Sequence, residues 1–487
     1  MPPVGILDLP TEILVKVFDW VEDESLYHLA LLSRRLNFIA LSIYFSRQKV
    51  DLESKSEVVC TLGGLERDVL SALQICLFIK SLERIDFSIP HSALEPTITP
   101  FLRHTKRLET FISRLTSVRK VSLRLAPHEG NWSISLKNGD ELRMWSSHVG
   151  TLLNWIVRRG CQYLSITDGS SIETDRPGLM DRIVRRIVPT PPNNIPAMPP
   201  FPSGPSQLTT LVMNSATLLT SPGIDWVQAA LRQAPITSLA LQMSRGNAQT
   251  WSDVLPRFAA AAPRLTLLVL TDLPPFIDVV VLAILDQFSN LTDLHMSYQR
   301  RLPDLTAWDL PRLPSPQLRR ISSLRAPSVL AEHLLTSKEA LPELRALCVL
   351  WRARPRMNLP SLFNSLATIA VQVSAHSLVP RLSVDIDARA GFTAADVFMS
   401  GDFMGREAIA AGCARVERLT LRLEGTSFEV HSVARLVAFF PETAQFSLAT
   451  RRVPISEWMT TRLQQTVKPT RRLREIEING KAHSLRA

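Results

Sequence analysis

One spacing of apolar and polar positions recurs along most of the chain: an aliphatic residue, two others, an aliphatic, one other, an aliphatic. It stands at Leu82-Ile85-Phe87, Val118-Val121-Leu123, Leu208-Leu211-Met213, Ile236-Leu239-Leu241, Leu265-Leu268-Leu270 and Leu291-Leu294-Met296. It returns at Leu344-Leu347-Val349, Val379-Leu382-Val384, Val416-Leu419-Leu421 and Leu473-Ile476-Ile478, with degenerate copies at Leu164-Ile166, Leu318-Ile321 and Phe446-Leu448. Alternation at period two predicts a short strand with one face in a core. Between the strands lie segments with helical spacing, such as "IDWVQAALRQA", "PSVLAEHLLTS" and "SVARLVAFF". Many begin near Pro, Ser or Asp and end before Pro, as helices do.

From residue 208 to 344 successive copies start 26 to 29 residues apart. A strand and a helix repeating at that period are the signature of leucine-rich repeats. The predicted fold is therefore α/β: parallel strands on a concave side and helices on a convex side of a horseshoe. Even spacing and the lack of a Gly-rich first turn separate it from a doubly wound sheet. "PTPPNNIPAMPPFPSGPS", residues 189–206, has eight prolines and can be neither helix nor central strand. It reads as a disordered surface insertion.

The first residues follow a different pattern. In "DLPTEILVKVFDWVEDESLYHLALLSRRLNFIA", residues 8–40, Pro10 opens a helix and Glu12 lies in its first turn, where the helix dipole favours a carboxylate. Ile13, Val17 and Val21 form one apolar stripe, and Leu14 and Phe18 form the one beside it. A second helical stretch follows, bent or broken in two, with Leu26, Leu29, Leu32, Leu36, Ile39 and Ile43 on its apolar face. Three short helices cannot bury Leu9, Leu14, Phe18, Trp20, Leu29 and Leu31 together, so some of these stay exposed. An exposed apolar patch marks a binding surface.

This stretch resembles the F-box, the short helical module that binds a Skp-type adaptor. Leu9, Pro10, Glu12, Ile13, Leu14, Val17 and Phe18 carry the likeness, with Ser33 to Ala40. Leu36 stands where the family often has Trp. The whole chain resembles an F-box protein with degenerate leucine-rich repeats, of a fungal-like kind. The expected domains are a three-helix F-box-like module over 5–46, a linker or packing helices over 47–81, and a repeat domain over 82–487. The resemblance implies a substrate-recognition subunit of a Skp–cullin–F-box ubiquitin ligase. Leu9, Pro10, Ile13, Leu14 and Phe18 would touch the adaptor, and cullin and RING subunits would follow through it.

Composition narrows the picture. The 487 residues are 45% hydrophobic and 21% charged, which is globular. The net charge of +10 comes from scattered Arg pairs rather than a basic block, and no nucleic-acid module accompanies it. A nucleic-acid partner is not expected. Five widely spaced cysteines give no zinc or disulfide framework. Neither a secretory leader nor a bilayer-spanning apolar run is apparent, so a cytoplasmic or nuclear protein is expected. The sequons at Asn131 and Asn290 then carry no meaning.

No phosphate-binding loop, dinucleotide fingerprint, H-E-x-x-H or G-x-S-x-G motif is present. Asp385 and Asp387 share one strand face and read as a solvated strand end. A non-catalytic protein without cofactor or metal is expected. Outward positions of the strands offer candidate contacts to a protein substrate: Arg124, Asn214, Gln242, His295 and Arg422, with Tyr298 and Trp351 at strand ends. The alternative is a non-catalytic repeat scaffold without a ubiquitin ligase role, in which the first module only caps the repeats.

Overall fold

In a computed structural model, the described residues are 6–50, 56–61, 69–88, 98–125, 134–136, 139–167, 172–174, 197–215, 217–243, 248–273, 277–298, 316–337, 339–353, 359–374, 381–388, 406–423, 430–450, 455, 457–467 and 472–484. Asn131, Val379 and residues 189–196 of the proline-rich stretch lie outside them. The chain divides into two compact units, Met1–Arg264 and Leu265–Ala487.

The first unit opens on a short 3-10 turn (Ile6–Asp8) and three helices, α1 (Thr11–Phe18), α2 (Asp23–Ala30) and α3 (Arg34–Arg47). The long apolar stretch is thus broken in two, because Ser33 caps α3 by accepting from the Leu36 backbone N–H at 3.2 Å. Leu14, Phe18, Leu26, Leu36, Ile39 and Phe45 form the core of this module.

Residues 47–81, expected to be a linker or packing helices, hold a helix and also a strand that the spacing does not predict. They supply β1 (Glu57–Thr61), which pairs in parallel with β2 (Ser81–Ser88), and α4 (Val69–Ile75). Repetition therefore starts one strand earlier than the spacing predicts. The unit continues through α5 (Ile98–Arg114), β3 (Ser117–Arg124), β4 (Ile134–Leu136), α6 (Gly139–Arg158), β5 (Tyr163–Thr167), β6 (Ile172–Thr174), β7 (Thr210–Asn214), α7 (Gly223–Gln233), β8 (Ser238–Gln242) and α8 (Ala248–Ala261). Strands β1, β2, β3, β5, β7 and β8 follow one another in parallel, while β4 and β6 form a side pair within the longer repeats.

The second unit repeats the scheme with β9 (Leu267–Leu273), α9 (Ile277–Leu282), β10 (Asp293–Tyr298), β11 (Ser323–Pro327), α10 (Ser328–Leu335), β12 (Ala346–Ala353), α11 (Leu359–Ser374) and β13 (Arg381–Ala388). Then come α12 (Arg406–Cys413), β14 (Val416–Leu423), α13 (Val430–Ala438), β15 (Gln445–Thr450), α14 (Glu457–Val467), β16 (Glu475–Ile478) and β17 (Lys481–Ser484). All neighbours from β9 to β16 are parallel, and β17 returns antiparallel through the Asn479-Gly480 turn, both residues at positive φ.

The α/β repeat architecture read from the sequence is present in both units. Its aliphatic positions are buried, among them Leu239 and Leu241, Leu268 and Leu270, Leu347 and Val349, and Leu419 and Leu421. One copy is shifted: β11 buries Ile321, Leu324 and Ala326, so Leu318 precedes the pattern instead of opening it.

The described part of the proline-rich stretch is not a disordered insertion. Met198 and Phe201 are buried, and the Phe201 ring lies 5.5 Å from that of Trp226. Asn154 ties the contact together: its Nδ2 donates to Pro200 O at 2.9 Å, and its Oδ1 accepts from Trp226 Nε1 at 2.9 Å. Gly150 permits the approach, since a Cβ there would stand 2.5 Å from Pro199 Cδ. Proline's low chain entropy suits an extended segment packed on helices.

The helical module is joined to the first repeat by a buried amide. Asn37, 2% exposed on α3, donates through Nδ2 to Ala30 O and Ile75 O, both at 3.0 Å. Its Oδ1 accepts from Leu77 N at 3.0 Å. Phe38 and Phe78 meet edge to face beside it, at 5.0 Å. Asn37→Ala strands three backbone groups and should lower unfolding stability by about 1–3 kcal/mol. Denaturant titration measures this, and hydrogen exchange should show Leu77 N–H losing protection. An unchanged midpoint with Leu77 still protected would contradict the role.

Candidate functional site

The helical module separates its two apolar stripes. Leu14 and Phe18 face α3 and are 0% and 1% exposed. They hold the module together and offer no surface to a partner, which corrects their assignment as adaptor contacts. Ile13 and Val17 lie on the other stripe and are exposed, as is Pro10, while Leu9 is half-buried. Trp20, just past the end of α1, is 91% exposed. Ile6 and Leu7 in the 3-10 turn, and Leu31 and Leu32 in the α2–α3 turn, are exposed as well. So many large apolar side chains in water on so small a module mark a surface built for contact. Trp20 and Leu31 were legible as an excess of apolar residues; Ile6 and Leu7 carried no such signal.

Two arginines of α3 hold this surface in shape. Arg35 donates to Leu7 O and Leu9 O, each at 2.6 Å, and to Thr11 Oγ1 at 3.1 Å, clamping the turn that carries Ile6, Leu7 and Pro10. Arg47 donates to Phe18 O at 3.2 Å and Asp19 O at 2.8 Å, the carbonyls at the C-terminus of α1, where a cation is favoured. Its other nitrogen reaches Val21 O at 2.7 Å and Asp23 Oδ1 at 2.8 Å. The turn bearing Trp20 is thereby fixed.

The second candidate surface is the open face of the strands. In the first unit Arg124 is exposed on β3, level with Ser88 and Thr167, and Gln242 is half-buried. Asn214 is buried, so it offers no contact. In the second unit Tyr298 and Trp351 are also buried, which corrects their assignment as anchors. Strand β10 extends to Tyr298 and β12 to Ala353, so the two-residue alternation turns both rings to the same side as Met296 and Val349.

His295 and Arg422, four strands apart, come together with two residues the sequence did not single out as a group. Asp385 on β13 is not a solvated strand end. Its Oδ2 accepts from Arg325 Nη2 of β11, and from Arg422 Nη2 of β14 at 3.2 Å. The Asp385 side chain is 12% exposed and that of Arg422 51%. His295 stands level with Arg325 across the β10–β11 pair, and Arg325 level with Cys348. Burial, then the Arg325 charge, pushes the His295 imidazole down to about 4 against some help from Asp385. Burial and Asp385 push the Cys348 thiol up to about 11. Both are therefore neutral near pH 7. Burial also raises Cys76, and takes Cys161 and Cys413 up to about 12, so these are inert thiols. Among the described residues no group of His, Cys, Asp or Glu has metal-site geometry. No helix of the described residues is long and apolar enough to cross a membrane.

Residues 6–50 match the F-box-like family, so the N-terminal module is an F-box-like domain. The match does not distinguish a fungal-like form. No curated protein matches the chain. A solved structure described as the "Toll - Spatzle complex, a molecular hub in Drosophila development and innate immunity" matches at 10% identity over 84% of this chain. The chain spans about half of that one, 51%, and the TM-score of 0.23 carries no argument.

Two outcomes follow from these placements. Leu14→Ala should cost about 2–5 kcal/mol as a core truncation, whereas Ile13→Ala should stay within about 1 kcal/mol. Denaturation of the two variants decides it, and equal losses would contradict the separation of stripes. For His295, the unfolded chain takes up a proton near its ordinary value of 6.5, the folded chain only near 4. Stability therefore falls as pH drops from about 6.5 towards 4. His295→Gln should remove that contribution, up to about 3 kcal/mol across the whole window, and flatten the pH profile of unfolding there.

Proposed function

We propose that the chain is the substrate-recognition subunit of a Skp–cullin–F-box ubiquitin ligase, and that its repeats are leucine-rich repeats that grip a protein substrate. The observation that carries this reading is the exposed stripe of Pro10, Ile13 and Val17, with Trp20 beyond it, on an F-box-like domain. A Skp-type adaptor covers that stripe, and cullin and RING subunits join through the adaptor. The chain itself does no bond chemistry. It raises the effective concentration of a substrate lysine near a ubiquitin-charged enzyme. The buried Asn37 contact supports the division of labour, because it couples the bound module to the repeats through fixed geometry. The same packing suits a scaffold whose first repeat needs a cover, and adaptor binding separates the two readings.

The test is capture of a Skp-type adaptor by the full chain, beside an Ile13→Ala/Trp20→Ala variant and a Leu9→Ala/Pro10→Ala variant. Loss of exposed anchors should weaken binding by about 2 kcal/mol or more, roughly thirtyfold, with the fold intact by circular dichroism. A wild-type chain that captures no adaptor would sink the receptor reading and leave the scaffold.

A further inference from the structure

We propose that the edge of the first unit at which its parallel strands begin is a docking surface for an anionic lipid membrane. The surface is a row of Lys and Arg side chains with two exposed apolar residues at its head. It does not depend on the reading of the chain as a ligase subunit.

Register gathers charges that are scattered in the sequence. Lys120 stands level with Arg84 and with Tyr163, Tyr163 with Thr210, and Thr210 with Ser238. The turns that lead into these strands therefore share one edge. Backbone bonds tie them together: Thr116 N donates to Lys80 O at 2.7 Å, Val118 N to Arg159 O at 2.9 Å, and Gln162 N to Arg119 O at 2.8 Å. Lys80, Arg114, Arg119, Lys120, Arg158 and Arg159 all fall on this edge, and Arg232 at the end of α7 continues the row. Across β2, β3, β5, β7 and β8 the row runs about 20 Å, at roughly 4.8 Å from strand to strand.

The charge is not cancelled locally. Residues 113–120, 157–163, 205–210 and 232–238 hold no Asp or Glu. Glu83 of β2 reaches Arg119 at 3.1 Å and Lys120 at 3.6 Å, one carboxylate for two cations. Arg84 pairs with Asp86 at 2.7 Å and stands level with Glu57, so that group adds no positive charge. Seven cations thus face Glu83 and one spare carboxylate beside Arg84. Arg114 donates to Cys76 O at 3.1 Å and Arg159 to Ser113 O, which orders both guanidiniums without neutralising them. Arg158 and Arg159 lie over the Trp155 ring, at 5.4 and 4.9 Å. In the second unit the corresponding turns carry Asp293, Glu343, Glu417, Glu442 and Glu475 among their arginines, so the uncompensated row belongs to the first.

The apolar head of the row selects the partner. Leu77, in the turn before β2, is 45% exposed, and Phe38, which packs on Phe78, is 53% exposed. Lys49 and Lys80 line one cleft with Phe38 and Phe78, so cationic and apolar side chains meet there. A bilayer interface takes both kinds: anionic headgroups attract the cations, and the acyl boundary receives the apolar tips. Nucleic acid offers phosphates to the row but leaves Leu77 in water. Nor is any aromatic residue of the row's described turns exposed for a base to stack on.

The experiment sediments the full chain with vesicles of phosphatidylcholine alone, or of phosphatidylcholine with about 30% phosphatidylserine, at low and at physiological salt. Only the anionic vesicles should carry it down, and less of it as salt rises. Each cation near such a surface contributes roughly fivefold in partitioning, so Arg119→Ala/Lys120→Ala/Arg158→Ala should weaken binding about a hundredfold, with the fold intact by circular dichroism. Arg319→Ala/Arg345→Ala/Arg418→Ala, at exposed positions of the second unit, removes the same charge and should leave binding within about threefold. Leu77→Ser should weaken it by about fivefold. No sedimentation with anionic vesicles, equal sedimentation with both kinds, or equal losses in the two triple variants overturns the surface. Duplex RNA that displaces the chain from vesicles, and binds Leu77→Ser as tightly as the wild type, overturns the lipid assignment and makes the row a nucleic-acid edge.

Discussion

A strand in a repeat can bury only alternate side chains, and the rest of this protein depends on that restriction. Each repeat places two or three aliphatic residues of one strand against its helices, and parallel pairing holds neighbouring strands in step. Everything of the opposite parity is then displayed as a grid. On β10 to β14 that grid puts His295 beside Arg325, and Asp385 between the rows of Arg325 and Arg422. The ion pairs are a consequence of register. Without the buried rows at Leu294, Leu324, Val349, Val384 and Leu421, the five strands would have no common frame in which to bring those charges together.

The N-terminal module solves the opposite problem. It is too small to bury its apolar content, and α3 can cover only one stripe of α1. The covered stripe, Leu14 and Phe18, supplies stability, while the uncovered one, Ile13 and Val17, remains in water. Arg35 and Arg47 make the exposed part rigid by satisfying carbonyls of the flanking turns. Asn37 then fixes α3 to the chain that leads into β2. Three polar side chains on one helix thus set the shape of the exposed surface and its attachment to the repeats. Apolar contacts are not directional enough to do that alone.

The repeat pattern, the helices between strands and the three-helix opening were legible in the sequence because each is a short-range periodicity. The identity of the first strand was not. Val58 on β1 is buried, yet "EVVCT" shows no full copy of the spacing and is recognised only by its pairing with β2. The shifted copy at β11 has the same origin, since Ala326 is too small to register as an apolar position. Tyr298 and Trp351 were misplaced through strand length rather than period: two more residues of strand send both rings inward.

The sequence by itself determined which residues alternate, where helices start, and that the N-terminal module holds more apolar surface than it can bury. Only the tertiary structure decided which of two neighbouring stripes on α1 is covered, because both are apolar and the choice belongs to α3. Only it joined Asn37 to Leu77 across 40 positions, and Asp385 to Arg325 and Arg422 across 60 and 37. Helical and strand periods are carried within a few residues of chain, so they can be read directly. A hydrogen bond between distant residues depends on the register of every element that lies between them.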